Sequence, residues 1–213
     1  MSHGFDNLTV LDHPLVQHKM AVLRDETTSE KPFRELVHEL TMLVGYEATR
    51  ERPLRPVDIK TPVAVAKCHK LAGKEVVIIP ILRAGLGMVS GIMELMPNCV
   101  VGHLGMYRNE ETFEPVPYYS NYPRDIAERD VILLDPMLAT GGSASAALDF
   151  VKEQGAKNVS LMCIVAARPG VERLLGDHPD VKIYAAAFDE ELTPKAYITP
   201  GLGDAGDRLF GTL

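Results

Sequence analysis

The sequence predicts an α/β protein: a mostly parallel sheet covered by helices on both faces. From Lys74 onward, short runs of branched apolar residues alternate with segments of helical periodicity. Strands that are apolar on both sides belong in a sheet with helices on both faces. The chain has 213 residues, 46% of them hydrophobic, and no internal repeat or low-complexity linker. We therefore expect one domain, residues 1–213, with a sizeable core.

Two helices are predicted before this alternation begins. Ser29 can cap a helix because apolar residues follow it with the i, i+3, i+4, i+7 spacing of a buried helical face. These residues are Phe33, Leu36, Val37, Leu40, Leu43 and Val44. A shorter helix is expected to begin at Pro14, with Asp12 or His13 before it.

The alternating part of the chain contains predicted strands at residues 76–79, 100–101, 131–134, 159–165 and 181–188. A glycine-rich turn and a helix through Met88, Ile92 and Leu95 follow the first strand, and further helices are expected at residues 143–154 and 171–175. Open α/β sheets bind ligands beyond the carboxyl ends of their strands. A ligand site is therefore expected in the segments that follow these strands.

Charge and cysteine content count against several classes of protein. The chain has 22 basic and 29 acidic residues, a net charge of -7, and no run of lysines or arginines. Because nucleic-acid binding depends on a basic surface, no nucleic-acid partner is expected. Cys68, Cys99 and Cys163 lie far apart without a C-x-x-C pair or His/Cys cluster, which predicts neither zinc nor disulfides. Neither a signal-peptide pattern nor a membrane-spanning apolar run is present, so we expect a cytoplasmic protein without a membrane partner.

Residues 107–122 break the rhythm of strands and helices. Together with Pro123 they contain three prolines, four tyrosines and three glutamates, with no helical period. Composition favours a long surface connection. A projecting arm that acts as a lid is the other interpretation, because long loops in compact domains are often functional.

Three glycine-bearing segments are candidates for a ligand site. Gly201–Gly206 reads G-x-G-x-x-G, but the sequence after it lacks the βα unit and acidic residue of a dinucleotide fingerprint. Gly85-Leu86-Gly87 follows a strand and opens a helix, with the next glycine, Gly91, one position late. Thr140–Ser143 lacks the lysine and outer glycine of a P-loop. The sequence therefore predicts neither NAD nor ATP binding.

The segment from Asp135 to Ser143 suits a phosphorylated sugar. Its glycines let backbone N–H groups converge on an anion, and the helix behind them adds its positive N-terminus. Thr140 and Ser143 add hydroxyl donors. A carboxylate would repel the phosphate, so Asp135 is expected to face another part of the ligand, either sugar hydroxyls or a magnesium ion. The alternative is an acidic strand end followed by a flexible turn.

This segment, D-P-M-L-A-T-G-G-S, resembles the phosphoribosyl-diphosphate motif of the type I phosphoribosyltransferases. Its form with Pro136 after Asp135 resembles the uracil phosphoribosyltransferases in particular. Further blocks resemble the same family in the same order: P-I-L-R-A-G-L-G-M, G-M-Y-R-N-E-E-T, E-P-V-P-Y and Y-I-T-P-G-L-G-D-A-G-D-R. Ser90 and residues 167–170 depart from the commoner family text, at positions where no ligand is expected.

The resemblance implies transfer of the phosphoribosyl group of 5-phosphoribosyl 1-diphosphate to N1 of uracil, giving UMP and diphosphate. It implies Mg2+ held mainly by the donor diphosphate, a homodimer or higher homo-oligomer, and a GTP effector as in some members. It also implies that residues 107–122 form a projecting arm and that the N-terminal and C-terminal segments form a hood. The implied donor-binding residues are Arg83, Arg108, Asp135, Pro136, Met137, Leu138, Ala139, Thr140, Gly141, Gly142, Ser143 and Asp204. The implied uracil-binding residues lie in the C-terminal segment, residues 193–213, and are Ile198, Gly203, Asp204 and Ala205.

Arg83, Arg108 and Asp135 are the expected catalytic residues by the same resemblance. Arginines and a metal can stabilise the negative charge that builds on a diphosphate leaving group. Which group acts as general base is left open. Two alternatives remain: a phosphoribosyltransferase for another nucleobase, which the block from Tyr197 to Arg208 argues against, and an RNA-binding regulator on the same fold, which the acidic charge argues against.

Overall fold

The computed structural model describes residues 3–108 and 115–212. Its helices are α1 (Pro14–Arg24), α2 (Glu30–Ala48), α3 (Leu86–Leu95), α4 (Gly142–Glu153), α5 (Arg168–Asp177) and α6 (Ala205–Phe210). Its strands are β1 (Leu8–Val10), β2 (Leu54–Lys60), β3 (Val65–Leu71), β4 (Val77–Pro80), β5 (Val100–Val101), β6 (His103–Arg108), β7 (Pro115–Asn121), β8 (Asp130–Leu134), β9 (Met137–Leu138), β10 (Asn158–Ala167), β11 (Lys182–Asp189), β12 (Glu191–Leu192) and β13 (Ile198–Thr199).

The central sheet is parallel. Within the described residues it has seven strands, ordered β1-β11-β10-β8-β4-β5, with β9 paired to the carboxyl-terminal part of β10. Its neighbouring strands all run parallel. The predicted α/β class is therefore confirmed, and the segments that follow the strands meet at one edge of the sheet.

Alternate side chains of the central strands pack into two different cores. Val77 and Ile79 of β4 belong to the core that contains residues of α4 and α5. Ile78, between them, belongs to the core that contains residues of α1, α2 and α3. Successive side chains of a strand point to opposite faces of the sheet. Helices therefore cover both faces, as predicted, and none in the described part of the chain is long and apolar enough to cross a membrane.

The predicted helices are present, with two differences: one lies at a cap, and the other at the start of α5, which begins at Arg168 rather than at residue 171. At α1 the N-cap is His13, whose Nδ1 accepts a hydrogen bond from the N–H of Leu15 at 3.1 Å. Ser29 stands at the N-cap of α2 as expected, but its side chain makes no capping hydrogen bond. The buried apolar face of α2, including Phe33 and Leu40, holds that helix on the sheet instead.

In the described part of the chain, three antiparallel hairpins lie outside the central sheet: β2–β3, β6–β7 and β12–β13. The arm expected at residues 107–122 belongs to the second hairpin, whose strands pair from His103 with Asn121 to Arg108 with Pro115. Its described part is thus an extended hairpin rather than an irregular connection, and residues 109–114 lie outside the described residues. Proline is confined to edge strands of sheets, and a two-stranded hairpin consists only of edges.

Gly85 lies where the turn after β4 meets the end of β8. A Cβ atom on Gly85 would lie 2.3 Å from the carbonyl oxygen of Leu134 and 2.7 Å from the nitrogen of Ile81. The N–H of Ile81 donates to the same Leu134 carbonyl at 2.9 Å. Only a residue without a side chain allows this approach. The two turns are therefore packed backbone against backbone at the carboxyl edge of the sheet.

This packing predicts that Gly85→Ala destabilises the protein by about 1–3 kcal/mol, the usual cost of overpacking. Gly176→Ala is the matched control, because a Cβ on Gly176 in α5 meets nothing within 4 Å. The control should be neutral or stabilise by about 0.5–1 kcal/mol. Urea unfolding of both variants checks the prediction. Parent-like stability of Gly85→Ala would contradict it.

Candidate active site

A cleft of about 520 Å³ lies at the carboxyl edge of the central sheet. Its walls come from the turn after β4, the segment after β8, α5, and the C-terminal segment. The lining residues are Ile81, Leu82, Ala84, Met137, Ala139, Thr140, Gly142, Ser143, Arg173, Lys195, Ala196, Tyr197, Ile198, Gly203, Asp204, Ala205 and Gly206. The structure thus brings together two stretches that the sequence singled out, although about 60 residues separate them along the chain.

The segment after β8 forms the loop expected of an anion site. Gly141, at a φ of 79°, is the N-cap of α4, and no side chain caps that helix. The first N–H groups of a helix have no intrahelical partner and favour an anion. Thr140, Gly142 and Ser143 line the cleft at this helix end. A helix start of this kind is suited to binding an anion such as a phosphate group.

The other residues of this segment take different positions. Met137 and Ala139 line the cleft. Pro136 and Leu138 are buried, and neither they nor Gly141 belong to the cleft lining. The carbonyl of Pro136 accepts hydrogen bonds from the N–H groups of Ile164 and Val165 in β10, at 3.1 and 3.0 Å. Pro136 therefore fixes the loop to the sheet rather than lining the cleft.

Asp135 directly follows β8 and is partly buried beside the cleft rather than among its lining residues. Its Oδ1 accepts a hydrogen bond from the N–H of Met137 at 3.3 Å. Burial raises the pKa of the Asp135 carboxyl to about 7, against the weaker lowering effect of that hydrogen bond. A carboxyl with a pKa near neutrality, adjoining a cleft, is typical of functional sites.

The two expected diphosphate-side arginines are described to different extents. Arg83 follows β4, between the lining residues Leu82 and Ala84, and its side chain is 63% exposed. Its Nη2 lies 3.7 Å from Oδ1 of Asp207, and its guanidinium lies 5.9 Å from the centre of the Phe210 ring. Arg108 is the last residue of β6, and its side chain lies outside the described part of the chain. Arg83 is thus near the C-terminal wall without lining the cleft.

The expected base-binding residues lie together in the C-terminal wall. Ile198 in β13 and Ala205 at the start of α6 are buried, with 4% and 3% of their surfaces exposed. Gly203, at a φ of 80°, precedes Asp204, which is the N-cap of α6. The Asp204 carboxylate accepts the N–H of Asp207 at 2.9 Å. Ala205 therefore belongs to a short helix, α6, that was not among the helices predicted from the sequence.

A partly buried ion pair that no local sequence pattern indicates holds this wall in place. Arg24, the last residue of α1, donates from both Nη atoms to the carboxylate of Asp189, at 2.7 and 2.8 Å. The same guanidinium donates to the Gly201 carbonyl at 2.7 Å, and Asp189 accepts the Gly201 N–H at 3.0 Å. Bidentate arginine–carboxylate pairs fix geometry strongly.

Arg208 makes a second set of long-range contacts in this wall. It donates to the carbonyls of Leu23 and Leu202, each at 2.9 Å, and to that of Asp25 at 2.7 Å. Its guanidinium also lies 4.3 Å from the centre of the Phe33 ring. The C-terminal wall is therefore held to the C-terminal end of α1 and the start of α2.

Arg173 and Lys195 are lining residues that the sequence did not single out. Arg173 lies on α5, three positions after Gly170, and Lys195 lies in the turn between β12 and β13. The only available signal was position, because α5 follows the carboxyl end of β10. Among the described residues, no group of three or more His, Cys, Asp or Glu side chains could hold a metal ion.

Comparisons with known proteins agree with this geometry. The family model described as "Uracil phosphoribosyltransferase" matches residues 10–212. A uracil phosphoribosyltransferase of Thermoanaerobacter sp. (strain X514) is 58% identical over 208 residues, 98% of this chain and 99% of the relative. One from Alkaliphilus oremlandii is 57% identical over 205 residues, 96% of this chain and 98% of the relative.

Solved structures agree as well. The AQ2163 protein from Aquifex aeolicus superposes with a TM-score of 0.88 at 38% identity, covering 95% of this chain and 97% of that one. An adenine phosphoribosyltransferase from Trypanosoma brucei, at 15% identity and a TM-score of 0.59, covers 93% of this chain and 88% of that one and shares the fold. With a family model spanning nearly the whole chain and relatives this similar over their full lengths, the chain belongs to the uracil phosphoribosyltransferase family.

Proposed function

We propose that the protein transfers the phosphoribosyl group of 5-phosphoribosyl 1-diphosphate to N1 of uracil, giving UMP and diphosphate. The observation that carries the proposal is membership of the uracil phosphoribosyltransferase family over nearly the whole chain. It agrees with a cleft that has a phosphate-binding loop on one wall and a small, partly apolar subsite on the other. The reaction is a pentosyl transfer.

In this proposal the donor 5-phosphate binds at the N-terminus of α4. The backbone N–H groups of residues 140–143 and the hydroxyls of Thr140 and Ser143 are its donors. Residues 135–139 align the loop with the ribose, and Asp204 reaches the donor from the opposite wall. The absence of a capping side chain on α4 supports this role, because those N–H groups remain available to a ligand.

Asp135 is proposed to accept hydrogen bonds from the ribose hydroxyls, or to contact the metal ion that the donor carries. A carboxylate with a single weak hydrogen bond among the described residues fits an oxygen-ligated Mg2+ whose other ligands come from the diphosphate. When bound, the ion neutralises part of the charge on the leaving diphosphate. Arg83 and Arg108 would add positive charge on the same side. The long 3.7 Å contact between Arg83 and Asp207 supports this, because a loosely paired arginine can turn to an anionic ligand.

Uracil is proposed to bind against Ile198, Gly203, Asp204 and Ala205. The buried side chains of Ile198 and Ala205 offer an apolar surface to the ring. Backbone groups around Gly203 can match the alternating acceptors and N–H donor of uracil. A wall anchored by the Arg24–Asp189 pair would hold that backbone in a fixed geometry, which specificity for one base requires.

A homodimer or higher homo-oligomer is part of the proposal. An isolated two-stranded hairpin is marginally stable in water. The β2–β3 hairpin nevertheless exposes four large apolar side chains, Leu54, Val63, Val65 and Leu71. Contact with a second copy of the chain would cover them. Activation by GTP and a cytoplasmic location stay predictions from the sequence.

Purified protein tests the activity directly. With the donor and Mg2+ present, we expect UMP from uracil and little product from cytosine or any purine. Each base is supplied in turn and the nucleotide products are separated and quantified. Equal use of hypoxanthine or guanine would contradict the proposed acceptor while leaving the phosphoribosyltransferase fold in place.

Asp135→Asn tests the proposed ribose contact. We expect a loss of about ten- to a hundred-fold in kcat/KM for the donor at pH 8, because a hydrogen bond to a charged group contributes about 1.5–3 kcal/mol. Asp12→Asn, on an exposed residue before α1, is the matched control and should behave as the parent does. A value for Asp135→Asn within twofold of the parent would mean that the carboxylate is structural.

The pKa of Asp135 adds a pH dependence. Below about pH 7 the free protein holds this carboxyl protonated, so kcat/KM for the donor should fall on the acid side of pH 7 in the parent. Because the folded-state pKa is raised, the contribution of this group to stability is present at low pH and declines as the pH rises through 7. Both effects should be absent from Asp135→Asn. A parent profile flat from pH 6 to 8 would count against a functional carboxylate.

Ala205→Val tests whether the two subsites are separate. The added methyl groups would displace uracil, and an error of about 1 Å in placement can cost on the order of a hundred-fold in rate. Calorimetric binding of the donor with Mg2+ should change little. Ala21→Val is the matched control, because it makes the same substitution on the exposed face of α1, and it should leave uracil use unchanged. Loss of donor binding with uracil KM preserved would remove the C-terminal segment from the base site.

A further inference from the structure

Arg173 lies directly beside the phosphate-binding loop. A Cβ atom built on Gly142 would lie 3.3 Å from Nη1 of Arg173 and 3.8 Å from Oγ1 of Thr140. A Cβ on Gly141 would lie 3.3 Å from the Cβ of Arg173. The stem of the arginine thus runs past Gly141, and its guanidinium reaches the side of Gly142 where the Thr140 hydroxyl also lies. Arg173 is itself one of the cleft-lining residues.

The packing of α5 explains why the side chain is there. A Cβ on Gly170 would lie 2.5 Å from the carbonyl oxygen of Ala139 and 2.7 Å from that of Leu138, so α5 packs tightly on the loop at this point. Residues three apart in a helix share one face. Arg173 therefore projects from the face of α5 that contacts the loop.

The guanidinium of Arg173 is only loosely held by the protein. Its ion pair with Asp177 has an Nε–Oδ2 distance of 3.8 Å, too long for a hydrogen bond, and its side chain is 55% exposed. Arg168 on the same helix differs, because it donates to Glu190 and lies 5.3 Å from the centres of the Phe5 and Phe188 rings. Arg168 has a structural role, whereas Arg173 can turn to a ligand at little cost.

The loop beside Arg173 has no cation of its own. Residues 135–143 contain neither lysine nor arginine, and Asp135 adds a negative charge in the ionised form. The arginines expected on the diphosphate side belong to other parts of the chain: Arg83 follows β4, and Arg108 is the last residue of β6. A phosphate monoester at the N-terminus of α4 would carry up to two negative charges, and a planar guanidinium suits such an anion.

We propose that Arg173 is a phosphate-binding residue of this protein, whose guanidinium pairs with the 5-phosphate shared by the donor and UMP. The inference rests on the proposed function for the identity of the ligand. It adds a side-chain cation to a subsite otherwise built from backbone N–H groups and hydroxyls. Arg173 then selects for ligands that carry a terminal phosphate next to the loop and has no direct effect on the diphosphate or the base.

Calorimetry with UMP, ribose 5-phosphate and inorganic diphosphate on the full-length chain tests the inference. Arg173→Met should lower the affinity for UMP and for ribose 5-phosphate by about three- to tenfold, which is the effect of losing a partly exposed charge-assisted pair. Diphosphate affinity should stay within twofold, and Arg173→Lys should recover part of the loss. Lys31→Met is a charge control, because Lys31 is 80% exposed on α2. Thermal melting confirms that each variant is folded.

Lys195→Met distinguishes a direct contact with the phosphate from the general electrostatic attraction of a positive charge in the cleft, because Lys195 lines the same cleft on the opposite wall. It should lower the affinity for ribose 5-phosphate less than Arg173→Met does. Three results would overturn the inference. They are an equal loss of ribose 5-phosphate affinity in the two variants, a loss of diphosphate affinity in Arg173→Met equal to its loss for UMP, and parent-like affinity of Arg173→Met for UMP. No turnover is needed. If uracil is not a substrate but ribose 5-phosphate binding still depends on Arg173, the proposed function fails and the role of Arg173 stands. If Arg173→Met turns over uracil normally and binds UMP as the parent does, the proposed function stands and the role of Arg173 fails.

Discussion

Close backbone contact at the carboxyl edge of the parallel sheet is the constraint on which the site depends. The turn after β4 contacts the end of β8 through Gly85, and α5 contacts the loop after β8 through Gly170. At both positions a Cβ would fall within 3 Å of a carbonyl oxygen, so the segments are held in place by backbone rather than by flexible side chains. This packing presents the uncapped N-terminus of α4 to the cleft.

Four arginines near the cleft are of two kinds, which differ in how tightly the protein holds their guanidinium groups. Arg24 and Arg208 are engaged by several carbonyls or by the buried Asp189, and they hold the C-terminal wall against the rest of the protein. Arg83 and Arg173 are more than half exposed, and their ion pairs are 3.7 and 3.8 Å long. Exposed pairs of that length contribute little to stability. An acidic protein can therefore keep cations available to a phosphorylated substrate where it needs them.

The sequence predicted the parts that follow from local patterns. The strand at Val77–Pro80 is buried at every position, and a run of that kind signals a covered parallel sheet without further information. The loop from Asp135 to Ser143 was also predictable, because its glycines and hydroxyl residues lie between a buried strand and a helix. Where α6 begins could have been found, since Asp204 at the N-cap with Asp207 three residues later is a capping pattern.

The rest depends on distances that no local pattern contains. Arg24 and Asp189 are 165 positions apart, and neither stands out in its own segment. The β6–β7 hairpin lacked an alternating pattern because tyrosines and prolines occupy much of its second strand. Arg173 was missed because its neighbour in space, Gly142, belongs to another element, and the predicted start of α5 at residue 171 left Gly170 outside the helix.

A crystal structure of the protein with UMP bound examines both walls of the cleft at once, because this one ligand spans them. We expect the phosphate to accept hydrogen bonds from the backbone N–H groups at the start of α4. We also expect the uracil ring to pack between Ile198 and Ala205. A UMP phosphate bound away from residues 140–143, or a base outside the C-terminal wall, would mean that the two walls do not have the roles proposed for them.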